Sequence, residues 1–278
     1  MWHLTKEEIK ELNEIARELR CTSLRMIHKR QAGHPGGSLS AAEIMTVLYF
    51  KVMRIDPENP NWNERDRFLL SKGHASAMLY ATLAKRGFFP EEDLQKWGEL
   101  DCHLQGHPDR LKTPGVDMNS GILGHGVSIG VGLCLAARQK RKDFRVYTLL
   151  GDGECQAGLV WEGANAAAKY ALTNLVAIVD HNAVQLDGFV EEVMPIEPLA
   201  EKWRSFGWDV FEVDGHDVDQ LYQAFLQCIE AQKKPTVIIA RTIKGKGVSF
   251  MENKAYWHGV APSTEELTRA LHELGEEF

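Results

Sequence analysis

Val146-Tyr147-Thr148-Leu149-Leu150 runs directly into Gly151-Asp152-Gly153-Glu154, and further on Leu175-Val176-Ala177-Ile178-Val179 runs into Asp180-His181-Asn182. Both are short runs, apolar on both faces, closed by small and polar residues. Strands buried on two sides read this way, and they belong to parallel sheets covered by helices. Runs at 67–70, 209–213 and 236–241 have the same character, beside 145–150 and 175–180. Between them, apolar residues recur at helical spacing over 75–85, 126–141, 161–170, 198–206 and 217–232. Thr5 and Glu8 form a capping box that opens an amphipathic helix, which should stop at Gly33-His34-Pro35-Gly36-Gly37. A second helix is expected over 40–53. A last one starts at Ser263, where Glu266 repeats the capping pattern, and Gly275 ends it. Residues 100–123 carry too many glycines and prolines to be regular. The expectation is an α/β fold: one domain over 1–278, with a mostly parallel central sheet and helices on both faces.

Composition narrows the function. The 278 residues are 44% apolar and 26% charged, which supports a sizeable core and opposes disorder. A net charge of −7 and a pI near 5.9 oppose a nucleic-acid surface. No apolar run is long enough to span a membrane, and no basic-then-apolar leader opens the chain. Cys21, Cys102, Cys134, Cys155 and Cys228 are scattered and never spaced C-x-x-C, as suits reduced thiols in a cytoplasmic protein.

Ligands of open parallel sheets bind beyond the carboxyl ends of the strands. Those ends read Ser71-Lys72-Gly73-His74, Gly151-Asp152-Gly153-Glu154, Asp180-His181-Asn182, Asp214-Gly215-His216 and Thr242-Ile243-Lys244-Gly245. One sheet edge therefore collects Asp, Asn, His and Lys among glycines. Gly151-Asp152-Gly153 sets a carboxylate on a tight turn whose free N–H groups suit phosphate oxygens. Asn182, closing the next strand, adds a neutral oxygen. Asp152, Asn182 and a nearby backbone carbonyl suit Mg²⁺, which takes hard oxygen ligands and is commonly shared with ligand phosphates. By itself G-D-G is most often a plain turn. Its place after one strand, with Asn182 after the next, favours the metal reading.

Gly151-Asp152-Gly153 followed by Asn182 resembles the metal–diphosphate motif of thiamine-diphosphate enzymes. Gly33-His34-Pro35-Gly36-Gly37-Ser38-Leu39-Ser40 resembles the N-terminal signature of transketolases. Ser71-Lys72-Gly73-His74-Ala75, Gly106-His107-Pro108 and Trp257-His258-Gly259 resemble three further motifs of that family, in order. The resemblance spans nearly the whole chain but only the diphosphate-binding half of a transketolase. It implies a thiamin diphosphate-binding fold, with the pyrimidine-binding and C-terminal domains on a separate chain in a heterotetramer. It implies Mg²⁺ or Ca²⁺ on Asp152, Asn182 and the Val184 carbonyl, and diphosphate on the Gly153 N–H and Lys244. His74, Gly121, Leu123 and His258 would line thiamine diphosphate, and His34, His107 and His258 would serve the sugar. The activity implied is transfer of a two-carbon ketol unit from a ketose phosphate to an aldose phosphate. In the family, the glutamate that activates the cofactor lies on the pyrimidine domain, so turnover would need the partner. Two departures stand out: His125 where many members have Gln, and Ala157 where many have Glu, with Glu162 retaining a nearby interface carboxylate.

Other readings compete. A modified-sugar transketolase or a deoxyxylulose-phosphate-synthase-like enzyme stays open within the same cofactor class. Gly124-His125-Gly126 with Gly130 resembles a dinucleotide fingerprint of an NADP-dependent reductase, but 118–123 is a poor strand to precede it. Cys102, His103 and His107 suggest zinc only if they share a helix, which Gly106 and Pro108 oppose. Trp161, Trp203 and Trp208 read as packing residues.

Overall fold

The protein is described here from a computed structural model, over residues 3–231 and 233–276. The helices are α1 (Lys6–Arg30), α2 (Pro35–Leu39), α3 (Ala42–Val47), α4 (Ser76–Lys85), α5 (His125–Gln139), α6 (Gly158–Lys169), α7 (Val190–Val193), α8 (Leu199–Ser205), α9 (Val218–Glu230) and α10 (Thr264–Glu273). The strands are β1 (Arg67–Leu70), β2 (Val146–Gly151), β3 (Leu175–His181), β4 (Asp209–Asp214) and β5 (Thr236–Arg241). All five expected strands form and pair in parallel, in the order β1-β2-β3-β5-β4.

Alternate side chains of β1, β2, β3 and β5 enter two different cores, whereas the edge strand β4 buries none of its residues fully and only leans Phe211 and Val213 on one core and Val210 on the other. Phe68, Tyr147, Ile178 and Ile238 face α1, α3, α4 and α9, whereas Leu69, Leu150, Val179 and Ile239 face α5, α6 and α8. The two-sided burial read from the apolar runs is thus the cause of a three-layer arrangement. Trp203 and Trp208 are buried in the second core with ring centroids 4.9 Å apart, and Trp161 stacks on Trp203 at 5.1 Å. All three pack, as expected.

Both capping boxes form, at Thr5/Glu8 and Ser263/Glu266. Most ends shift by one or two residues, and three boundaries call for comment. The expected helix over 40–53 is broken: Pro35 starts α2 at its first position, Ala41 leaves helical geometry with ψ near 0°, and α3 ends in a π turn at Leu48–Val52. Helix α6 begins at Gly158 rather than 161, because the extended Ala157 already directs the chain into it. Helix α9 ends at Glu230, and the expected end, Gln232, lies outside the described residues.

Helix α5 lies against the sheet because Gly126 carries no side chain. A Cβ there would stand 2.5 Å from Ser71 Oγ and from Thr148 Oγ1, so any side chain pushes the helix off β1 and β2. Gly132, on the outer face of the same helix, has nothing within 4 Å. Gly132→Ala is expected to raise stability by about 0.5–1 kcal/mol through helix propensity. Gly126→Ala should lower it by about 1–3 kcal/mol through overpacking. Chemical denaturation of the two variants checks the opposite signs.

Candidate cofactor and metal site

Parallel register brings the motif turns together. Gly151 of β2 lies opposite Asp180 of β3, which lies opposite Ala240 of β5. The ladder continues past the strands, with Ser71 N donating to Leu149 O at 2.9 Å and Thr242 N to His181 O at 3.1 Å. A cleft of about 260 Å³ opens beyond this edge. Among its lining residues are His74, Leu123, Asp152, Asn182, Lys244 and His258.

Asp180 organises the floor. It is fully buried, and one carboxylate oxygen accepts from Lys72 Nζ, from Ser40 Oγ at 2.6 Å and from Asn182 Nδ2 at 3.2 Å. The other accepts from Thr242 Oγ1. Burial alone would raise its pKa, but the Lys72 ammonium and these donors outweigh it and hold the carboxyl below the usual range. Lys72 also donates to Gly37 O at 2.6 Å, which ties α2 to the sheet. Because the Asn182 nitrogen is engaged by Asp180, its amide oxygen is the atom left to the cleft; it accepts from Val184 N at 3.1 Å.

Asp152 is 2% exposed, and its carboxylate accepts only backbone N–H groups, Gly153 at 2.7 Å and Ala183 at 2.5 Å. No salt bridge reaches it among the described residues. Burial, then the Asp180 charge, raises its pKa. A buried carboxylate made unfavourable by burial and by a second carboxylate is relieved by a cation. Asp152, the Asn182 oxygen and the Val184 carbonyl form a hard-oxygen set of the kind Mg²⁺ and Ca²⁺ accept, so the residues fit a divalent ion.

The opposite wall carries nitrogen. His34, His74 and His258 form a triangle of rings with centroids 5.1–5.4 Å apart. Burial, followed by neighbouring cations, lowers His258 to about 3 and His74 well below its ordinary value; burial and then His107 lower His34. His74 and His258 are therefore neutral at pH 7. Lys244 Nζ lies 3.0 Å from Val184 O and 2.8 Å from His258 Nδ1, and burial followed by Lys72 lowers it to about 8. Gly36 and Gly37 make this wall possible: a Cβ on Gly36 would lie 2.9 Å from Lys244 carbons, and one on Gly37 would lie 3.3 Å from His74 Nε2.

Of the residues singled out in the sequence, Leu123, Gly153, Asn182 and Val184 line the cleft with Asp152, His74, Lys244 and His258. His34 joins through its ring contacts. His107 and Gly121 are exposed neighbours of each other outside the lining, with a Gly121 Cβ 3.9 Å from the His107 ring. His125 turns Nδ1 to the Leu123 carbonyl at 3.2 Å, and Ala157 packs on Gly124. Glu162 is exposed. The dinucleotide reading fails because a turn, not a strand, precedes Gly124. The zinc reading fails as well: His103 faces Asp93 at 3.2 Å, and no group of three His, Cys, Asp or Glu is set to hold a metal among the described residues.

Two features of the site escape the sequence reading. Lys72 and Asp180 stand inside strand-end motifs, but nothing in the sequence marks them as partners. Glu154 is a buried carboxylate that accepts from Ser71 Oγ, from Gly124 N at 2.7 Å and from Gly151 N at 3.0 Å. It joins the ends of β1 and β2 to the start of α5.

A family profile described as transketolase, thiamine diphosphate binding domain matches residues 12–277. The chain belongs to that family. It is 44% identical over 267 residues to the 6-deoxy-6-sulfo-D-fructose transketolase subunit SqwG of Clostridium sp., covering 96% of this chain and 97% of that one. It is 43% identical over 251 residues to a subunit of the apulose-4-phosphate transketolase of Phocaeicola vulgatus, covering 90% and 89%. Among solved structures, transketolase from Leishmania mexicana superimposes with a TM-score of 0.92 at 29% identity, and that from Campylobacter jejuni with 0.91 at 33%. These cover 96% and 97% of this chain but only 41% and 43% of theirs. The chain thus spans about two-fifths of the solved transketolases and nearly all of the two named subunits. It is a thiamine diphosphate-binding, ketol-transfer subunit of the family, as its motifs led us to expect.

Asp180→Asn leaves the Lys72 ammonium buried without a counter-charge and should cost about 3–5 kcal/mol in chemical denaturation at pH 7. A carboxyl whose folded pKa is depressed stabilises above its unfolded value, near 3.9, and loses that contribution as pH falls through the folded value. The gap between wild type and variant should therefore narrow below about pH 4.

Proposed function

We propose that this chain, as one domain over 1–278, is the metal- and diphosphate-binding half of a two-subunit transketolase. It would move a two-carbon ketol unit from a ketose to an aldose, with the pyrimidine-binding and C-terminal domains on a separate partner chain. The observation that carries the reading is the meeting, at one sheet edge, of an unpaired buried carboxylate at Asp152 with Lys244 and a triangle of neutral histidines. Coverage of two named subunits almost end to end supports the two-chain arrangement, and a heterotetramer is the assembly we expect. Five free, buried cysteines support the cytoplasm as its location; no described helix is long and apolar enough to cross a membrane.

In this reading Asp152, Asn182 and the Val184 carbonyl hold Mg²⁺ or Ca²⁺. Gly153 N–H and Lys244 bind the diphosphate, where Lys244 supplies an ammonium against a polyanion. His74, Gly121, Leu123 and His258 border thiamine diphosphate. When bound, the cofactor supplies the carbon nucleophile and the electron sink for breaking and making the C–C bond. The protein's part is to bind, orient and handle protons. His258 stays neutral at pH 7, so it accepts or donates a hydrogen bond to a sugar hydroxyl without adding charge; His34 and His107 offer further ring nitrogens to hydroxyls nearer the rim. The names of both relatives carry sugars with a terminal oxyanion, and we take an anionic sugar as the substrate class here.

Removing the Asp152 carboxylate removes a metal ligand. Asp152→Ala should weaken thiamine diphosphate binding in Mg²⁺ at least tenfold, about 1.4 kcal/mol, by titration calorimetry. Unchanged affinity contradicts the metal assignment. Supplied with cofactor and metal, the isolated chain should give no ketol transfer until a partner chain is added, and full turnover alone would refute the two-subunit reading.

A further inference from the structure

Outside the cleft, a relay of buried groups runs from α1 to the turn that carries Lys244. Arg20 of α1 is buried, and its fork donates from Nη1 to Glu43 Oε1 at 2.7 Å and from Nη2 to Glu43 Oε2 at 2.6 Å. Its Nε serves Leu39 O at 3.1 Å. Glu43, in α3, is buried as well. Burial alone would raise its carboxyl, but the Arg20 guanidinium and the His216 hydrogen bond outweigh it and hold the group at about 2. Glu43 is therefore an acceptor only. His216, on the turn after β4, lies with Nδ1 2.9 Å from Glu43 Oε2 and Nε2 2.8 Å from Ile243 N. A backbone N–H can only donate, so Nε2 accepts from Ile243 and the ring proton sits on Nδ1, where it is given to Glu43. One tautomer satisfies both neighbours.

The turn at 243–245 is pinned on both sides of Lys244. Ile243 N donates to His216, and Gly245 N donates to Gly36 O at 3.0 Å. Gly215 lets the His216 turn come this close, because a Cβ there would stand 2.4 Å from Thr242 Cγ2. Between the two anchors Lys244 is buried, with its stem against Gly36 and its ammonium at Val184 O and His258 Nδ1. A lysine stem is flexible, so the direction in which its backbone launches it decides where the charge ends. We infer that His216 is a positioning residue: in the one tautomer that Arg20 and Glu43 impose, it holds the Ile243 N–H and so aims the Lys244 ammonium at the cofactor's diphosphate. His216 lies outside the cleft lining and acts through Lys244. This rests on the reading above that Lys244 binds the diphosphate.

The test titrates thiamine diphosphate in Mg²⁺ into the full chain by calorimetry, with chemical denaturation to show that each variant is folded. His216→Phe keeps a ring and removes both nitrogens. It should weaken binding about tenfold, about 1.4 kcal/mol. His216→Gln, whose amide sets a donor and an acceptor about as far apart as the two ring nitrogens, should keep wild-type affinity. In a Lys244→Met background His216→Phe should cost nothing further, since its effect passes through the ammonium already removed. Wild-type affinity in His216→Phe, or the same loss with and without Lys244, overturns the inference, because a merely structural role adds to that of the lysine. If His216→Phe does not fold, His216→Asn replaces it in the same cycle, being too short to reach Ile243 N. If the wild-type chain binds no thiamine diphosphate, the cofactor reading has failed, and acylation of the cofactor-free chain, read by mass spectrometry, decides the positioning alone. Lys244 should then react about fivefold faster in the His216 variant while Lys72 reacts at its wild-type rate. Equal Lys244 rates overturn the inference.

Discussion

The buried Lys72–Asp180 ion pair is the constraint on which the site depends. Taking both charges out of water costs several kcal/mol per ion, and mutual attraction offsets that only where the remaining donors and acceptors are satisfied. Here they are. Asp180 also receives Ser40, Thr242 and Asn182, and Lys72 also reaches the Gly37 carbonyl. One pair therefore joins α2, the turn after β1, the end of β3 and the turn after β5. It also orients the Asn182 amide, which leaves an oxygen rather than an N–H facing the cleft. Removing either partner is costly, because it strands the other charge in the core.

Charge across the cleft is divided by wall. Carboxylate and amide oxygens lie at the ends of β2 and β3, and ammonium and imidazole nitrogens lie opposite. Because burial keeps His74 and His258 neutral, the positive charge on the nitrogen wall is concentrated in lysines. Lysine on one wall and, on the other, an oxygen set that fits a divalent ion together match a diphosphate, which needs cations from two sides. The neutral histidines match hydroxyls, whose recognition needs both a donor and an acceptor. The partly buried histidines ring a cleft whose floor is charged.

The strands were legible because a short, mostly apolar run closed by small and polar residues has few other uses. The places of Asp152, Asn182 and Lys244 were legible for the same reason, since the first two follow a strand directly and Lys244 stands on the turn after β5. The contacts that shape the site were not. Asp180 and Lys72 are 108 positions apart, and only the order of the strands makes them neighbours. Glu154 looked like one more turn residue until the fold brought Gly124 and Ser71 to it. His107 and Gly121 sit on a long irregular stretch, where spacing carries no geometric information, and they lie outside the cleft lining. The broken helix after Pro35 shows the limit of periodicity: apolar spacing continues through Ser40 and Ala41, while the backbone turns to bring Gly36 and Gly37 against Lys244 and His74.

The central claim is that the ends of β2 and β3 hold a divalent ion that tethers a diphosphate. A crystal structure of the chain grown with Mn²⁺ and thiamine diphosphate, with anomalous data collected for manganese, tests it most directly. The account requires one anomalous peak touching an Asp152 oxygen, Asn182 Oδ1 and the Val184 carbonyl, with diphosphate oxygens completing the sphere and Lys244 beside them. A cofactor bound with its diphosphate elsewhere, or a peak that leaves Asp152 and Asn182 without the ion, would contradict it.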